Sequence, residues 1–428
     1  MTSAMLVGHL RGMPAAMEDA TAADLVSLRL DPAAGQMSLP LLTLDEAIFD
    51  SNAKAFFSFA ASHGLCVFPH LKTSMAPSLA RRLLSAGADG VTVADARQAA
   101  VLLSHGTTRV IVANQIGGRD AALRLATLLA RYPEAELTVF VDSAEGLATL
   151  ADSWRDRADL PRLGIAVEIG TGRGGVRSRQ AAQALIEAVL DAETSGANGL
   201  YLEGVAAYEG AAALPGFDAP AVEASIAELL DRLADAAIHA RDRTDPARSL
   251  MITAGGSAYF DLVVRHLAPL IADLSPARLI LRSGALFFHD HGIYARAMAS
   301  MTRRSPDGPS GSFRPALKLW AEVLSRPERG LAILAFGMRD APVDQGPPVP
   351  LELYRDGRLL AAALAGCTID RLNDQHAFMS LPPGAELAVG DIVSLGISHP
   401  CTCIDRWRLV WGVGPDGRIC AVHPTCFG

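Results

Sequence analysis

Short apolar runs alternate with helical segments eight times between residues 44 and 290, and this alternation constrains the fold more than any other feature. The runs are rich in Val, Ile and Leu and are bounded by Gly or charge, as expected of buried strands. The stretches between them, such as residues 181–196, have the apolar spacing of amphipathic helices. We predict strands at Cys66–Leu71, Gly90–Ala94, Arg109–Asn114, Glu136–Asp142, Arg162–Gly170, Tyr201–Glu209, Leu250–Gly255 and Arg278–Leu286.

Eight strands with helical crossovers favour a closed parallel (β/α)8 barrel. Strands that are covered by helices outside and by the barrel core inside need apolar residues on both faces, and these runs provide them. A doubly wound open sheet is the alternative that uses the same alternation. The predicted class is therefore α/β.

A polar segment rich in Pro and Gly at residues 302–315 ends the alternation. The short runs after it, separated by turn residues, favour a mainly β domain. We predict three parts: residues 1–40, which could add a strand to the β domain, a barrel at 41–305, and the β domain at 306–428. The runs of the β domain are residues 321–327, 331–337, 391–397, 407–413 and 418–424.

The composition argues against several classes of function. Lys and Arg number 38 against 46 Asp and Glu, which gives a formal charge of −8, and no basic block would neutralise a run of phosphates. Charge, Gly or Pro interrupts every apolar stretch before the roughly 18 residues that a membrane-spanning helix needs. No export signal is evident, and the six cysteines are few for this length. We expect a soluble cytoplasmic protein that binds neither nucleic acid nor membrane.

The ends of the predicted strands carry the candidate chemistry, because the active sites of such barrels lie at the C-terminal ends of the strands. The first strand runs into His70 and Lys72. A lysine there either extends along the rim into solvent or lies desolvated in the barrel mouth, where a lowered pKa makes its amine nucleophilic. From the residues alone, the rim position is the more frequent outcome.

Two loops of small residues follow the seventh and eighth strands, at Gly255-Gly256-Ser257 and Ser283-Gly284. Small residues let backbone N–H groups approach an anion, and the same two loops frequently bind phosphate in barrels. Turns from strand to helix also use glycine for their own geometry. The two loops therefore indicate a phosphate site only in combination.

The fifth and sixth strands end in Arg173 and Tyr208. Each residue alone is typical of an ordinary loop with a surface side chain. Combined with Lys72 and the two small-residue loops, they supply an imine-forming amine, a cation, a flat side chain and a phosphate site. These are the groups that a phosphorylated pyridine aldehyde requires.

His399 and Cys401 form a His-x-Cys pair near the C-terminus. In an extended chain alternate residues lie on one side, and imidazole with thiolate favours zinc over magnesium or manganese. Two ligands do not complete a structural zinc site, and free cysteines are commonly buried as small apolar residues. An incomplete set of ligands is nevertheless what a catalytic site needs, since substrate or water fills the open positions.

Seven motifs occur in one order along the chain, and these are PHLKT, EIGTGRGGV, AAYEG, Gly-Gly-Ser, Arg-Ser-Gly, DQHAF and SHPC. In this order they resemble the metal-activated fold-type III pyridoxal-phosphate enzymes, which include D-threonine aldolase and the eukaryotic type of D-serine dehydratase. The resemblance extends over residues 40–410. It implies an alanine-racemase-like barrel, a C-terminal β domain and a homodimer.

The resemblance also implies the roles of individual residues. Lys72 would hold pyridoxal 5'-phosphate as an imine, and His70, Arg173 and Tyr208 would lie beside the cofactor. The residues that would bind its phosphate are Gly255, Gly256, Ser257, Ser283 and Gly284.

The same resemblance makes His399 and Cys401 the ligands of a divalent metal, with zinc favoured. In D-threonine aldolase the second position looks like an aspartate, whereas a cysteine is similar to the zinc-dependent D-serine dehydratases. The implied activity is conversion of D-serine, or a related D-3-hydroxy amino acid, to a 2-oxo acid and ammonia. Retro-aldol cleavage to glycine and an aldehyde is the alternative. A non-catalytic pyridoxal-phosphate-binding protein is a second alternative, although such proteins lack the second domain.

The sequence departs from the family pattern in places. Glu209 follows Tyr208 where histidine is common, and Gln375 precedes His376 in place of glutamate. Residues 287–311 look longer than in the short members, which resembles a subgroup of broad D-amino-acid deaminases.

Overall fold

The computed structural model describes residues 10–14, 17, 20–157, 159–195, 199–213 and 218–427. Residues 1–9 of the predicted N-terminal segment lie outside these ranges. The strands up to residue 281 are β1 (Leu41–Asp45), β2 (Cys66–Val67), β3 (Val91–Val93), β4 (Arg109–Val112), β5 (Glu136–Val141), β6 (Leu163–Ile169), β7 (Leu200–Ala207), β8 (Leu250–Ala254) and β9 (Ala277–Leu281). The α-helices up to residue 304 are α1 (Ala22–Ser27), α2 (Glu46–Ser62), α3 (Pro77–Ser85), α4 (Ala96–Ser104), α5 (Arg119–Leu129), α6 (Ala144–Trp154), α7 (Arg179–Thr194), α8 (Ala219–Arg243), α9 (Phe260–Asp273) and α10 (Ile293–Arg304).

Strands β2 to β9 form one parallel sheet in the order β2-β9-β8-β7-β6-β5-β4-β3. Its two edge strands approach each other through a parallel bridge between His70 and Thr92, so the sheet nearly closes into a barrel. Strands that are consecutive in the chain are neighbours around this sheet, whereas a doubly wound sheet reverses its order at a switch point. The predicted (β/α)8 barrel is confirmed, and the open-sheet alternative is wrong.

Both faces of the barrel strands are apolar, as the runs required. The residues that meet in the barrel interior are Phe68, Ile111, Phe140, Ala166, Ala206, Met251 and Ile280. Their neighbours along the strands, such as Val139 and Val141, belong instead to the larger core between the strands and the helices. Successive side chains of a strand point to opposite faces, so one continuous apolar run supplies both cores.

Several barrel helices begin at a residue whose side chain caps the first turn. Asp95, Ser143 and Ser178 each accept a hydrogen bond from the backbone N–H three residues further on. These caps satisfy amide groups that would otherwise lack a partner at the start of α4, α6 and α7. Within the ranges described above, no helix is long and apolar enough to cross a membrane.

The last third of the described chain is mainly β-structure with one short helix, α11 (Pro400–Ile404). Its strands are β10 (Leu317–Glu328), β11 (Leu331–Leu334), β12 (Val349–Arg355), β13 (Arg358–Leu359), β14 (Thr368–Leu372), β15 (Ala377–Ser380), β16 (Ile392–Gly396), β17 (Leu409–Val413) and β18 (Ile419–Pro424). One path through this sheet runs β13-β12-β16-β10-β1-β17-β18, and β11, β15 and β14 branch from β10. The predicted second, mainly β architecture is confirmed.

Strand β1 joins this second sheet, where it pairs antiparallel with β10 and parallel with β17. The strand contributed by the N-terminal part of the chain thus lies at Leu41–Asp45, after residues 1–40. Asp45 then caps α2 by accepting a hydrogen bond from Ile48 N at 2.8 Å. The chain therefore passes from the β-sheet to the barrel helices at this residue.

Candidate active site

A cavity of about 340 Å³ opens at the C-terminal ends of the barrel strands and is lined by residues of both the barrel and the β domain. Small-molecule sites typically span roughly 300–1,000 Å³, so this volume suits one. The lining residues that the sequence singled out are His70, Lys72, Arg173, Tyr208, Gly256, Ser257, Gly284, His399 and Cys401. Gly255 and Ser283, which the sequence also singled out, lie behind this lining.

Lys72 lies in a 3-10 helix, Leu71–Thr73, directly after the bridge that closes the barrel. Its side chain is exposed because it projects into the open cavity rather than into a packed wall. Protein atoms still displace much of the water around the amine, and this burial lowers the pKa of Lys72. Cys401 raises that pKa, whereas Arg173 and Arg282 lower it further. The lysine thus faces the cavity and not the solvent at the rim.

His70 precedes this turn and contributes an imidazole to the cavity wall. Its Nδ1 atom is buried and has no hydrogen-bond partner. Burial holds the pKa of His70 well below its ordinary value, and the charges of Lys72, Arg282 and Arg173 lower it further. The ring is therefore neutral, with one nitrogen available to a bound molecule.

Arg173 and Tyr208 lie against each other on another wall of the cavity. The guanidinium carbon of Arg173 is 5.2 Å from the centre of the Tyr208 ring, a cation–π contact. Burial, followed by the charge of Glu209, raises the pKa of Tyr208 to about 12, although Arg173 lowers it. Tyr208 therefore stays a neutral phenol at physiological pH. Asp142 holds the Arg173 loop in place by accepting a hydrogen bond from Gly175 N at 2.9 Å.

Glycine lets the loops after β8 and β9 pack closely against other residues of the cavity wall. A Cβ atom at Gly284 would lie 2.2 Å from the His70 carbonyl oxygen, and one at Gly256 would lie 2.9 Å from the Tyr208 ring. Ser257 Oγ accepts a hydrogen bond from Leu286 N at 3.2 Å, which links the two loops. A bound anion could approach this wall without meeting side chains at the two glycines.

Glu209 occupies two of the amide groups that the sequence assigned to phosphate. Its buried carboxylate accepts hydrogen bonds from Gly255 N at 3.0 Å and Gly256 N at 2.5 Å. The Ser283 hydroxyl donates to the Gly255 carbonyl at 3.1 Å. These groups are therefore paired within the protein, and the parts of the two loops that line the cavity are Gly256, Ser257, Gly284 and Ala285.

Among the lining residues that were not predicted as site residues from the sequence are Arg282 and Tyr294. Arg282 is only 5% exposed and donates to Thr253 Oγ1 at 2.6 Å and to the Ala207 carbonyl at 2.7 Å. Its position directly after an apolar strand could have indicated that Arg282 lies at the cavity. Tyr294 carried no such signal, because it lies at the start of α10 and reaches the cavity through the packing of that helix. Its hydroxyl bonds with Ser257, and burial raises its pKa well above the usual value.

The His-x-Cys turn, residues 399–402, follows β16 and begins α11. His399 Nδ1 lies 2.6 Å from Asp344 Oδ2, and Thr402 Oγ1 donates to Asp344 Oδ1 at 3.0 Å. Cys401 Sγ lies 3.2 Å from Thr73 Oγ1. The turn therefore meets the barrel at the residue that directly follows Lys72.

The neighbours of His399 act strongly on its pKa, and a metal that binds this ring has to displace a proton. Burial alone would lower the pKa of His399, but hydrogen bonds to Cys401 and Asp344 raise it to about 9. In the part of the chain that the structure describes, no group of three or more His, Cys, Asp or Glu side chains is arranged to hold a metal. A metal on His399 and Cys401 would thus keep open positions, as a catalytic ion requires.

The other cysteines lie outside the cavity, and all six are free. Cys403 is fully buried, and its thiol donates to the Asp340 carbonyl at 3.8 Å. Burial raises the pKa of Cys403 to about 12, so the thiol stays protonated. Cys403 is therefore a packing residue behind the His-x-Cys turn.

These residues fit both groups that the sequence implied. An amine, an unpartnered imidazole nitrogen and a wall kept open by glycine surround one cavity, which suits a phosphorylated pyridine aldehyde. An imidazole and a thiol in the lining of the same cavity suit a soft divalent ion.

Comparison with known families gives the class of the protein. Residues 45–265 match the family described as the alanine racemase N-terminal domain, and residues 316–413 match a serine dehydratase domain family. The first match alone spans more than half of the chain. The protein therefore belongs to the fold-type III pyridoxal-phosphate enzymes.

Individual relatives are aldolases and a dehydratase. D-threonine aldolase of Arthrobacter sp. is 26% identical over 371 residues, which span 86% of this chain and 87% of that protein. 3-Hydroxy-D-aspartate aldolase of Paracoccus denitrificans is 26% identical over 322 residues, which span 73% of this chain and 75% of that protein. Among solved structures, D-threonine aldolase from Filomicrobium marinum has a TM-score of 0.74 at 25% identity, covering 91% of this chain and 95% of that chain. D-threo-3-hydroxyaspartate dehydratase from Delftia sp. has a TM-score of 0.71 at 19% identity, covering 93% and 99%.

Proposed function

We propose that this protein is a pyridoxal-phosphate- and metal-dependent dehydratase that converts D-serine, or a related D-3-hydroxy amino acid, to a 2-oxo acid and ammonia. The observation that carries the proposal is the position of His399 and Cys401 in one cavity with Lys72. A variant of D-threo-3-hydroxyaspartate dehydratase in which a cysteine is replaced by alanine is described in a metal-free form. A metal-free form of that enzyme implies a metal-bound one, which supports a metal in this protein.

The residues on the barrel wall would hold the cofactor. Lys72 would bind it covalently, and Ser257 with Gly284 would contact its phosphate, while Arg173 and Tyr208 would flank its ring. When bound, the cofactor supplies an electron sink next to Cα, and the metal supplies a Lewis acid for the β-hydroxyl.

Two parts of the site would carry out two different steps. Lys72 would transfer the proton, and the His-x-Cys turn would act in the loss of the hydroxyl. Burial lowers the pKa of Lys72, which eases the loss of its proton, and the free amine would take the proton from Cα of the substrate. His399 and Cys401 would orient the β-hydroxyl, which leaves Cβ as water with the proton that Lys72 took from Cα. Hydrolysis then takes up one water and releases ammonia, so that D-serine gives pyruvate and ammonia in balance.

Retro-aldol cleavage to glycine and an aldehyde is the second candidate, because two relatives at 26% identity are aldolases. In cleavage the β-hydroxyl stays on Cβ, and a base takes its proton. At the position where histidine is common in the family, Glu209 binds backbone amides behind the cavity lining. Glu209 is therefore not placed to act as the base that cleavage requires, which favours dehydration.

Product analysis distinguishes these reactions. The holoenzyme is incubated with D-serine, D-threonine and D-threo-3-hydroxyaspartate, with and without a chelator, and keto acid and glycine are measured. Keto acid that disappears with the metal and returns with zinc is expected. Formation of glycine would instead establish the aldolase. If neither keto acid nor glycine forms, the remaining candidate is a non-catalytic pyridoxal-phosphate-binding protein.

We also propose a homodimer and a cytoplasmic location. The homodimer rests on the family resemblance, and light scattering of the purified holoenzyme measures it directly. The six free thiols support a reducing compartment.

A further inference from the structure

The carboxylate of Asp344 contacts the His-x-Cys turn on both sides of Cys401. Asp344 Oδ2 lies 2.6 Å from His399 Nδ1, and Asp344 Oδ1 accepts a hydrogen bond from Thr402 Oγ1 at 3.0 Å. Both oxygens of Asp344 are thus used, and the two residues that they hold flank the cysteine. The position of Asp344 in a loop between β11 and β12, more than fifty residues away in the chain, gives no sign of this contact in the sequence.

The contact fixes the chemistry of the imidazole. A carboxylate that accepts the Nδ1 proton of a histidine leaves Nε2 as the nitrogen that binds a metal, once Nε2 has lost its own proton. It also fixes the direction of the ring. The second contact, to Thr402, restrains the turn so that the Cys401 thiol stays beside Thr73.

The loop that carries Asp344 also contacts the barrel side of the cavity. The neighbouring residue, Gln345, accepts hydrogen bonds from Arg296 through its carbonyl at 3.3 Å and its side-chain oxygen at 3.0 Å. Arg296 lies on α10, which carries Ile293 and Tyr294 into the cavity lining. The loop therefore connects the His-x-Cys turn to a barrel element of the same cavity.

We infer that Asp344 is a positioning residue for the metal: it holds His399 and Cys401 in the arrangement that binds the ion, without itself being a ligand. The inference rests on the proposed function, in which these two residues hold the metal. Asp344 is not a ligand in this arrangement because both of its oxygens are hydrogen-bonded and it does not line the cavity.

Zinc affinity of the holoenzyme tests the inference. Apparent dissociation constants are measured by competition with a chromophoric chelator for the wild type, Asp344→Ala and Asp344→Asn. Loss of such a carboxylate partner weakens metal binding by roughly 10–100-fold, and we expect this range for Asp344→Ala. Asp344→Asn keeps an acceptor for His399 but loses the charge, so we expect an intermediate loss.

Two further variants separate positioning from general destabilisation. Asp374→Ala removes another exposed aspartate, which pairs with Arg339 at 3.5 Å, and should leave the zinc affinity unchanged. Thr402→Val removes the second contact of Asp344, together with the 3.5 Å hydrogen bond from Thr402 Oγ1 to the His399 carbonyl, and should weaken zinc binding less than Asp344→Ala. The melting temperature of metal-free protein and the visible spectrum of the bound cofactor should stay at wild-type values in Asp344→Asn.

The outcomes are distinct. Zinc affinity within twofold of the wild type in both Asp344 variants would overturn the inference, and so would an equal loss in Asp374→Ala. If Asp344→Ala does not fold, Asp344→Asn and Thr402→Val decide the question. If wild-type protein binds zinc equally well after His399→Ala or Cys401→Ala, the proposed metal site itself fails, which is a different result from an unaffected Asp344 variant.

Discussion

The two sides of the cavity differ in how their polar groups are held. On the barrel side, the loops after β8 and β9 form hydrogen bonds deep in the protein, such as those of Glu209 with Gly255 and Gly256. On the side of the β domain, the His-x-Cys turn depends on single side chains, Asp344 and Thr73, and Asp344 is half-exposed. The barrel side is therefore built to keep one shape, whereas the turn can lose its arrangement through one substitution. The comparison predicts that the cofactor and the metal can be lost independently.

Removal of the lysine should have the largest effect. Lys72→Ala eliminates the only lysine that lines the cavity within the described residues, and turnover should fall by at least about 10⁴-fold because both covalent binding and proton transfer are lost. The visible absorbance of the lysine-bound cofactor should vanish in the same variant. Zinc content measured by elemental analysis should stay, because the His-x-Cys turn is unchanged. An unaltered visible spectrum would exclude Lys72 as the cofactor lysine.

Removal of Cys401 should affect metal binding on the side of the β domain. In Cys401→Ala the zinc content should fall, and keto-acid formation should decrease by about 100-fold or more, since a Lewis acid contributes several kcal/mol. The cofactor spectrum should remain. Cys426→Ala, a free cysteine outside the cavity, is the matched control and should stay within about twofold of the wild type. Retained zinc with full activity in Cys401→Ala would remove this residue from the metal site.

A methyl group on the barrel wall should test how rigid that side is. Gly284→Ala places a Cβ atom 2.2 Å from the His70 carbonyl oxygen, and overpacking of this kind costs about 1–3 kcal/mol of unfolding free energy. Cofactor affinity should fall as well. Gly311→Ala is the control, because nothing lies within 4 Å of the added atom there. Urea unfolding measures both variants, and equal midpoints would show that the wall adapts.

A substitution at the contact between the β domain and the barrel helices should have the smallest effect on stability, and only at acidic pH. His423 in β18 hydrogen-bonds with Glu46 of α2 at 2.7 Å and with Ser78 of α3 at 2.9 Å. Burial, and then the charge of Arg82, lowers the pKa of His423 to about 4 from the ordinary 6.5. The unfolded chain therefore takes up a proton below pH 6.5 that the folded protein takes up only near pH 4, so stability falls as the pH decreases through this window.

The variant His423→Gln should remove this part of the pH dependence. The shift corresponds to roughly 3 kcal/mol of unfolding free energy at 1.36 kcal/mol per pKa unit. Melting temperatures between pH 4 and pH 7 measure it, with His105→Gln on the exposed surface as the control. If the slope of stability against pH is the same in wild type and His423→Gln, another group dominates the window.

Much of the fold and part of the site could be predicted from the sequence. All eight barrel strands were located because strands buried on both faces must be apolar throughout. The residues that line the cavity from strand ends, such as Lys72 and Arg173, were found by the same reasoning. Arg282 was missed although it ends a strand, because it is enclosed by contacts with Thr253 and Ala207 that no local pattern reveals.

The remaining parts of the site depend on which segments meet. Glu209 looked like an ordinary loop residue, yet the fold places its carboxylate on the amides of Gly255 and Gly256. Nothing near Asp344 in the chain indicates that it will contact His399. Such contacts join residues that are far apart in sequence, and they form only after the two domains have packed against each other.

The order of apolar runs, glycine loops and reactive side chains along the chain by itself determined the barrel, the second sheet and the types of chemical group available. The tertiary structure alone decided that the amine of Lys72 and the thiol of Cys401 share one cavity, with Thr73 between them. The reason is physical: periodicity records which face of an element is buried, which is a local property. The distance between two side chains more than three hundred residues apart is set by how whole elements pack.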